Sequence, residues 1–302
     1  MNIKKITYVL FAIVLLSGCN FNEDFCIRDG VLYATCDYSR IETGVKIDPT
    51  IQHLIGYGRS NQTQPVSPVA DFVKDTLEWI APQGNYDFIL FSGADGYTVK
   101  GKEDMYTCAA YANLETVESN NYYAASLPMI SYNIFSEKLV YQQPVTKEVD
   151  MKPLTQEIIV RLHLQGNQLN VLDSLYSELD GICVSRKFHS RETSKETATI
   201  RTSYEKFDSD KKLWEGSSNV LGISDNHKII FRLYTQTSNN SDETYDFDLT
   251  PYLKGVDQYK IIINLDLTVG RELELKSPIV VESWATGEQI EIEISPLQPN
   301  NL

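Results

Sequence analysis

The residues best suited to chemistry are scarce and badly spaced for it. The four histidines, His53, His163, His189 and His227, stand far apart, and no two have the i, i+4 or short-loop spacing of a metal site. His163 falls on the polar side of its segment beside Arg161 and reads as an exposed or hydrogen-bonded strand residue. Serines and carboxylates are plentiful, but no nucleophile elbow or comparable motif marks a triad. Carboxylate pairs for glycoside hydrolysis are spaced in three dimensions rather than along the chain, so no residue is nominated as catalytic. Asp208-Ser209-Asp210 and Asn239–Asp248 offer clustered oxygens, yet they lack the glycine and terminal glutamate of a calcium loop and read as solvated loops. The 16 glycines form no phosphate-binding loop, which argues against a nucleotide. With 41 acidic against 27 basic residues, the net charge of −14 repels phosphate backbones and argues against nucleic acid. No cofactor and no metal is expected, and the chain is not expected to be an enzyme.

One cysteine does carry a chemistry. Lys4 and Lys5 precede an apolar run, Ile6–Leu16, broken only by Thr7, and Leu16-Ser17-Gly18-Cys19 closes it. The run is too short to span a bilayer as a mature helix and reads as a signal peptide. Its last four residues are similar to a bacterial lipobox, which implies cleavage between Gly18 and Cys19 and acylation of the Cys19 thiol. Glu23 and Asp24 follow closely, and look like the acidic signal that sends some lipoproteins to the outer face of the outer membrane. The expected location is therefore the outer membrane, lipid-anchored and surface-exposed. Cys26, Cys36, Cys108 and Cys183 remain, and outside the cytoplasm they permit three pairings. Cys26 and Cys36 are closest in sequence and could bridge, while Cys183, between Ile182 and Val184, reads as a small buried hydrophobe. Free buried thiols fit the spacing equally well.

The elements that would position these groups are strands. Tyr86, Phe88 and Leu90 alternate with Asp87, Ile89 and Phe91, and Ile158, Val160, Leu162 and Leu164 with their neighbours. Ile229, Phe231 and Leu233 alternate with Ile230, Arg232 and Tyr234, and the run from Tyr259 to Val269 keeps the same period. Ile290, Ile292 and Ile294 form a last strand. One dry and one wet face on each strand means antiparallel sheets packed as sandwiches. Helical spacing is confined to Leu169, Leu172, Leu175, Tyr176 and Leu179, ending at Gly181, to one turn begun by Thr250-Pro251, and to short pieces over Pro49–Ile55 and Val69–Leu77. Pro144 and Pro153 mark a boundary. The expected organisation is a signal peptide over 1–18, a lipidated tether over 19–29, and β-sandwich domains over 30–146 and 147–302. Ser190–Thr197 and Gln236–Tyr245 should be exposed loops. The 18 tyrosines and three tryptophans suit carbohydrate platforms or strand interiors alike; Tyr122 and Tyr123 are the exposed pair to watch, whereas Trp284 reads as an edge or core plug.

Several segments together resemble the fimbrillin-associated anchor and accessory lipoproteins (FimB-like, minor-fimbrium anchor type). Gly84-Asn85-Tyr86-Asp87-Phe88 resembles their Gly-x-Tyr strand opening, and Ser126-Leu127-Pro128-Met129 their short Pro-Met turn. Val149–Thr155 with the following strand looks like the start of their second domain, and Leu169–Val184 like their helix and Leu-x-Gly-Ile strand. Phe247–Leu253 is similar to their Asp-Leu-Thr segment, and Trp284–Gly287 to their closing Trp-x-x-Gly. The resemblance implies an all-β fold of two tandem transthyretin-like antiparallel sandwiches with a few short helices. It also implies a fimbrial subunit as partner, bound by strand addition. The C-terminal Ser295–Leu302, with Pro296 and Pro299, makes a poor donor strand, so this chain is expected to accept one. A surface glycan-binding module is the alternative.

Overall fold

Where apolar side chains recur at every second position the chain forms strands, and it forms little else. The computed structural model describes residues 28–39, 41, 52–59, 70–72, 76–92, 96–117, 121–165, 172–208, 213–237, 242–268, 274–275, 279–283 and 289–292. In order the strands are β1 (Asp29–Asp37), β2 (Gln52–Gly58), β3 (Ala70–Phe72), β4 (Thr76–Pro82), β5 (Gly84–Ser92), β6 (Tyr97–Lys100), β7 (Ala109–Ala112) and β8 (Leu114–Val117). There follow β9 (Asn121–Ala124), β10 (Ser131–Leu139), β11 (Val145–Asp150), β12 (Lys152–Pro153), β13 (Gln156–Gln165), β14 (Leu172–Cys183), β15 (Ser185–Lys187) and β16 (Thr197–Ser203). The last are β17 (Glu205–Asp208), β18 (Leu213–Val220), β19 (Ile230–Thr237), β20 (Asp242–Asp248), β21 (Lys260–Thr268), β22 (Glu274–Leu275), β23 (Ile279–Ser283) and β24 (Gln289–Ile292), with one helical turn, α1 (Thr250–Leu253), before β21.

The first sandwich packs the sheet β11-β1-β4 on the sheet β12-β10-β5-β2-β3. Leu32, Ala34, Leu77 and Trp79 meet Leu54, Phe88 and Leu90 between them. Trp79 packs against Gly56, where a Cβ would sit 2.6 Å from its ring. The second sandwich packs β17-β18-β13-β21-β23-β24, with β22 beside β21, on β20-β19-β14-β16-β9-β8. Ile158, Val160, Leu162, Ile261, Ile263 and Leu265 face Leu175, Leu179, Phe231 and Leu233 there. A fifth sheet, β15-β7-β6, covers the back of β2 and β5 and buries Ile55, Ile89 and Phe91 with Phe188 and Leu221. The hairpin β8–β9 crosses from the first sandwich to extend a sheet of the second, β9 lying parallel to β16.

The all-β sandwich architecture expected from the alternation is present. Five details differ. Three pairings, β1 with β11, β13 with β21 and β9 with β16, are parallel, because their partners are joined by long crossovers rather than hairpins. Strand β5 is buried on both faces, so Asp87, Ile89 and Phe91 do not form a wet side. The helix expected up to Gly181 is the strand β14, and residues 169–171 lie outside the described residues. Its true core face is Leu175, Ser177 and Leu179; Ser177 takes a core position because the Tyr204 hydroxyl donates to it at 2.6 Å. The short pieces expected over Pro49–Ile55 and Val69–Leu77 are likewise strand where described, in β2, β3 and β4. The turn at Thr250-Pro251 is α1, with Leu249 rather than Thr250 at the cap position.

One buried cation gathers the chain segments at the junction of the sandwiches, beside the crossing hairpin and the Phe188–Leu221 packing. Arg186, 2% exposed, donates from Nε to Arg191 O (3.2 Å) and from Nη1 to Leu154 O (3.1 Å) and Leu221 O (3.3 Å). Its Nη2 meets the Asp257 carboxylate, which also accepts from Arg191 Nη2 at 3.2 Å. Burial pushes the Asp257 value up, but the hydrogen bonds from Arg191 and Arg186 outweigh it and hold the carboxyl below the ordinary range. Arg186→Met should lower stability by about 3–5 kcal/mol, read from urea unfolding, because it strands buried acceptors. Lys187→Met, which breaks only the exposed pair with Glu192 (2.6 Å), should cost less than about 1 kcal/mol. Since the folded value of Asp257 is depressed, its contribution is complete above the unfolded carboxylate value of about 3.9 and is lost as pH falls through the folded value. Asp257→Asn should remove that part of the acid limb, and an unchanged limb would count against the assignment.

Candidate functional site

Register across the six-stranded sheet lines up a row of alternating charge on its outer face. Arg232 of β19 is opposite Asp246 of β20 and Glu178 of β14, and Glu178 is opposite Arg201 of β16. One step along, Tyr176 is opposite Tyr234, and the rings stack with centroids 4.6 Å apart at 10°. Thr199 pairs with Tyr123 of β9, so the crossing hairpin supplies one wall. Together Tyr123, Glu178, Asp180, Thr199, Arg232 and Tyr234 enclose a cavity of about 330 Å³.

Glu178 is the centre. It is 4% exposed and accepts from Arg201 Nη2 (2.7 Å), Arg201 Nε (3.2 Å), Tyr123 Oη (2.9 Å) and Tyr234 Oη (2.9 Å). Burial pushes its carboxyl up, but these hydrogen bonds prevail and hold it below the ordinary range, so it stays ionised. Burial first, and then the bond to Glu178, push the phenols of Tyr123 and Tyr234 upward, which keeps them protonated as donors. The Arg201 guanidinium lies over the rings of Tyr123 (5.2 Å) and Tyr176 (4.9 Å), and its side chain is 53% exposed. Asp180 accepts from Thr199 Oγ1 at 2.6 Å and pairs with Arg232 at 2.7 Å. A carboxylate already holding four donors is a poor general base, and an ionised one is no general acid. The arrangement is therefore a strongly polar cluster, its charged and hydroxyl groups held by one another.

Of the residues singled out by sequence, Tyr123 belongs to this cavity. The side chain of Tyr122 and residues 284–288, with Trp284, lie outside the described residues. So do Gly18, Cys19 and Cys26, and with them the lipid site and the Cys26–Cys36 pairing. Cys183 is buried and free, as is Cys108. His163 is half-buried on β13, away from the cavity. The acidic stretch Asn239–Asp248 is not a loop over its length: from Asp242 it is strand β20, because its residues pair one for one with β19. Among the described residues no three His, Cys, Asp or Glu gather to hold a metal, and no helix is long and apolar enough to cross a membrane. Glu178, Asp180, Thr199 and Arg201 were invisible in the sequence reading, although Arg232 and Tyr234 showed as the outward residues of β19.

No family model matches the sequence, and no curated relative does. Solved structures do share the fold. A candidate polysaccharide-binding protein from Bacteroides thetaiotaomicron matches with TM-score 0.58 at 15% identity, over 87% of this chain and 98% of that one. A candidate adhesin from Bacteroides ovatus gives 0.58 at 12% identity, over 83% and 95%. The fimbrial anchor protein Mfa2 from Porphyromonas gingivalis gives 0.53 at 10% identity, over 87% and 99%. At such identities the likeness establishes the fold.

Glu178→Gln keeps the size of the side chain but weakens its bonds to Arg201 and both phenols. It should destabilise the protein by about 1.5–3 kcal/mol in thermal or urea unfolding. Wild-type Glu178 stabilises fully above the unfolded carboxylate value and loses that effect as pH falls through its depressed folded value, so the deficit of Glu178→Gln should shrink in acid.

Proposed function

We propose that this chain is a non-catalytic surface lipoprotein that anchors a fimbrium, or assists its assembly, at the outer membrane. The observation that carries the reading is the extent of the likeness to a fimbrial anchor, which runs nearly the whole length of both chains rather than over one sandwich. The lipobox-like Leu16–Cys19 supplies the membrane attachment: acyl chains on Cys19 bury about 0.8 kcal/mol per CH₂, and two or more hold stably. The tether over 19–29 belongs to the same reading, as does a division of the mature chain into two sandwiches; placed at 146/147 it would fall inside β11, which pairs with β1 of the first sandwich, so the division is drawn after β12, with the β8–β9 hairpin crossing back over it. Edge strand β4 supports strand acceptance. Among the described residues it pairs with β1 alone, and Ile80 on its outer face is 53% exposed.

The Glu178 cavity favours a second reading, binding of a surface glycan. Tyr123 and Tyr234, the Arg232 guanidinium and the Glu178 and Asp180 carboxylates supply polar groups of the kind that sugars use, and one protein of the same fold is a candidate polysaccharide binder.

A palmitate analogue fed to the source cells should label the protein, and Cys19→Ala should abolish the label and release the protein from membranes. Unlabelled wild-type protein in the soluble periplasm would end the lipoprotein reading. Lipid-free residues 20–302 used as bait on surface extract should retain a fimbrial polypeptide through a high-salt wash, because main-chain pairing and apolar burial are insensitive to screening. Recovery only of a glycan that free sugar displaces would replace the anchor reading with the second one.

A further inference from the structure

The alternation of main-chain hydrogen bonds decides what the outer edge of β4 offers. The strand runs antiparallel to β1, with Gly30 opposite Ala81, Leu32 opposite Trp79 and Ala34 opposite Leu77. One step beyond the strands Gln83 N donates to Arg28 O at 2.8 Å, which makes Arg28 and Gln83 a hydrogen-bonded pair in the same register. Such pairs recur at every second residue, so Leu77, Trp79 and Ala81 turn their main-chain groups to β1. Thr76, Glu78 and Ile80 turn theirs the other way, to an edge that no described strand occupies. Pro82 comes next in that series and has a carbonyl but no N–H, so pairing along this edge ends there. The usable length is Thr76–Ile80.

The same three residues present their side chains to solvent, alternating with buried Leu77, Trp79 and Ala81. Ile80 is apolar and more than half exposed, beside Val31 of β1. The Glu78 carboxylate accepts from the Tyr33 hydroxyl at 3.5 Å, and no cation pairs with it among the described residues. This edge therefore asks its neighbour for a positive charge at one position and an apolar group two residues away. A second copy of β4 is a poor answer. Two-fold pairing about Glu78 sets two carboxylates directly opposite, and pairing about Trp79 sets each Glu78 against Ile80.

We propose that the β4 edge takes one antiparallel strand from a different polypeptide, with a lysine or arginine opposite Glu78 and an apolar residue opposite Ile80. The inference rests on the strand-accepting part of the proposed function and adds to it the position, length and side-chain preference of the contact. Antiparallel order makes the incoming motif apolar-x-basic, with the middle residue facing inward beside Trp79. Detergent-solubilised mature protein would be titrated, with anisotropy as the readout, against two fluorescent peptides: Thr-Ile-Val-Lys-Val-Thr-Ser, and the same peptide with glutamate in place of lysine. The lysine peptide should bind saturably and the glutamate peptide about fivefold more weakly. Glu78→Lys should invert that order. Ile80→Pro deletes an edge donor without touching the ladder to β1, so it should weaken both peptides about tenfold and leave the unfolding temperature in place. Should Ile80→Pro fail to fold, the inversion by the exposed Glu78→Lys still decides. No saturable binding of either peptide, or a preference unmoved by Glu78→Lys, would overturn the proposal. A wild-type dimer in sedimentation that Ile80→Pro dissolves would overturn it in favour of a second copy. A fimbrial polypeptide retained equally by wild type and Ile80→Pro would overturn this edge and leave the anchor reading standing. Inverted peptide preference with no fimbrial polypeptide retained would sustain the edge and remove the anchor reading.

Discussion

A guanidinium with almost no access to water is the constraint around which this protein is arranged. Arg186 leaves β15 at the place where the connection into β13, the end of β18, the loop before Glu192 and the segment after α1 all come together. Each of these is a chain turning out of a sheet, and each presents a carbonyl or carboxylate that no ladder can satisfy. Buried acceptors of this kind are costly when unpaired. One planar fork with five donors resolves four of them at once, which a lysine ammonium with its compact geometry would not reproduce. The charge is tolerated in turn because Asp257 answers it from the rim of the junction.

The same logic of paired charge appears on the outer face of the six-stranded sheet, but with the opposite sign at the centre. There the buried ion is the carboxylate of Glu178, and arginine and tyrosine come to it from the neighbouring strands. Register alone determines who meets whom. Because residues directly opposite sit on the same face, the order Asp246, Arg232, Glu178, Arg201 across four strands follows once β14 is in place. The cavity beside it is thus a property of a rigid sheet, not of a loop.

How much of this the sequence disclosed depended on whether the pattern was local. Strands β5, β13, β19 and β21 announced themselves because hydrophobic alternation is written in consecutive residues. Strand β14 did not. Ser177 occupies a core position and Glu178 an outer one, so the leucines that remain, at 172, 175 and 179, imitate a helical stripe. A bulge at Gly181, whose φ is +84°, then shifts the phase before Ile182, which erases what alternation was left. The Glu178 cavity was hidden by the same misreading, since its central residues lie on that strand. Arg186 was hidden for a different reason: most of its acceptors are main-chain carbonyls from distant segments, and a carbonyl has no letter in a sequence. The proposed lipid site is the converse case, legible only in the sequence.

The β8–β9 hairpin sets an order of events on the chain's synthesis. Tyr123 and Ala124 leave the ribosome well before Thr199 and Ile200, the residues beside which they come to rest. The early part of the polypeptide can pack its own two sheets around Leu32, Trp79 and Phe88, but the back of β5 waits for Phe188 and Leu221, and the hairpin has no seat until the later part has been made and has paired β14 with β16. Completion of the amino-terminal half therefore waits on the carboxy-terminal half, and the finished molecule is interlaced rather than beaded.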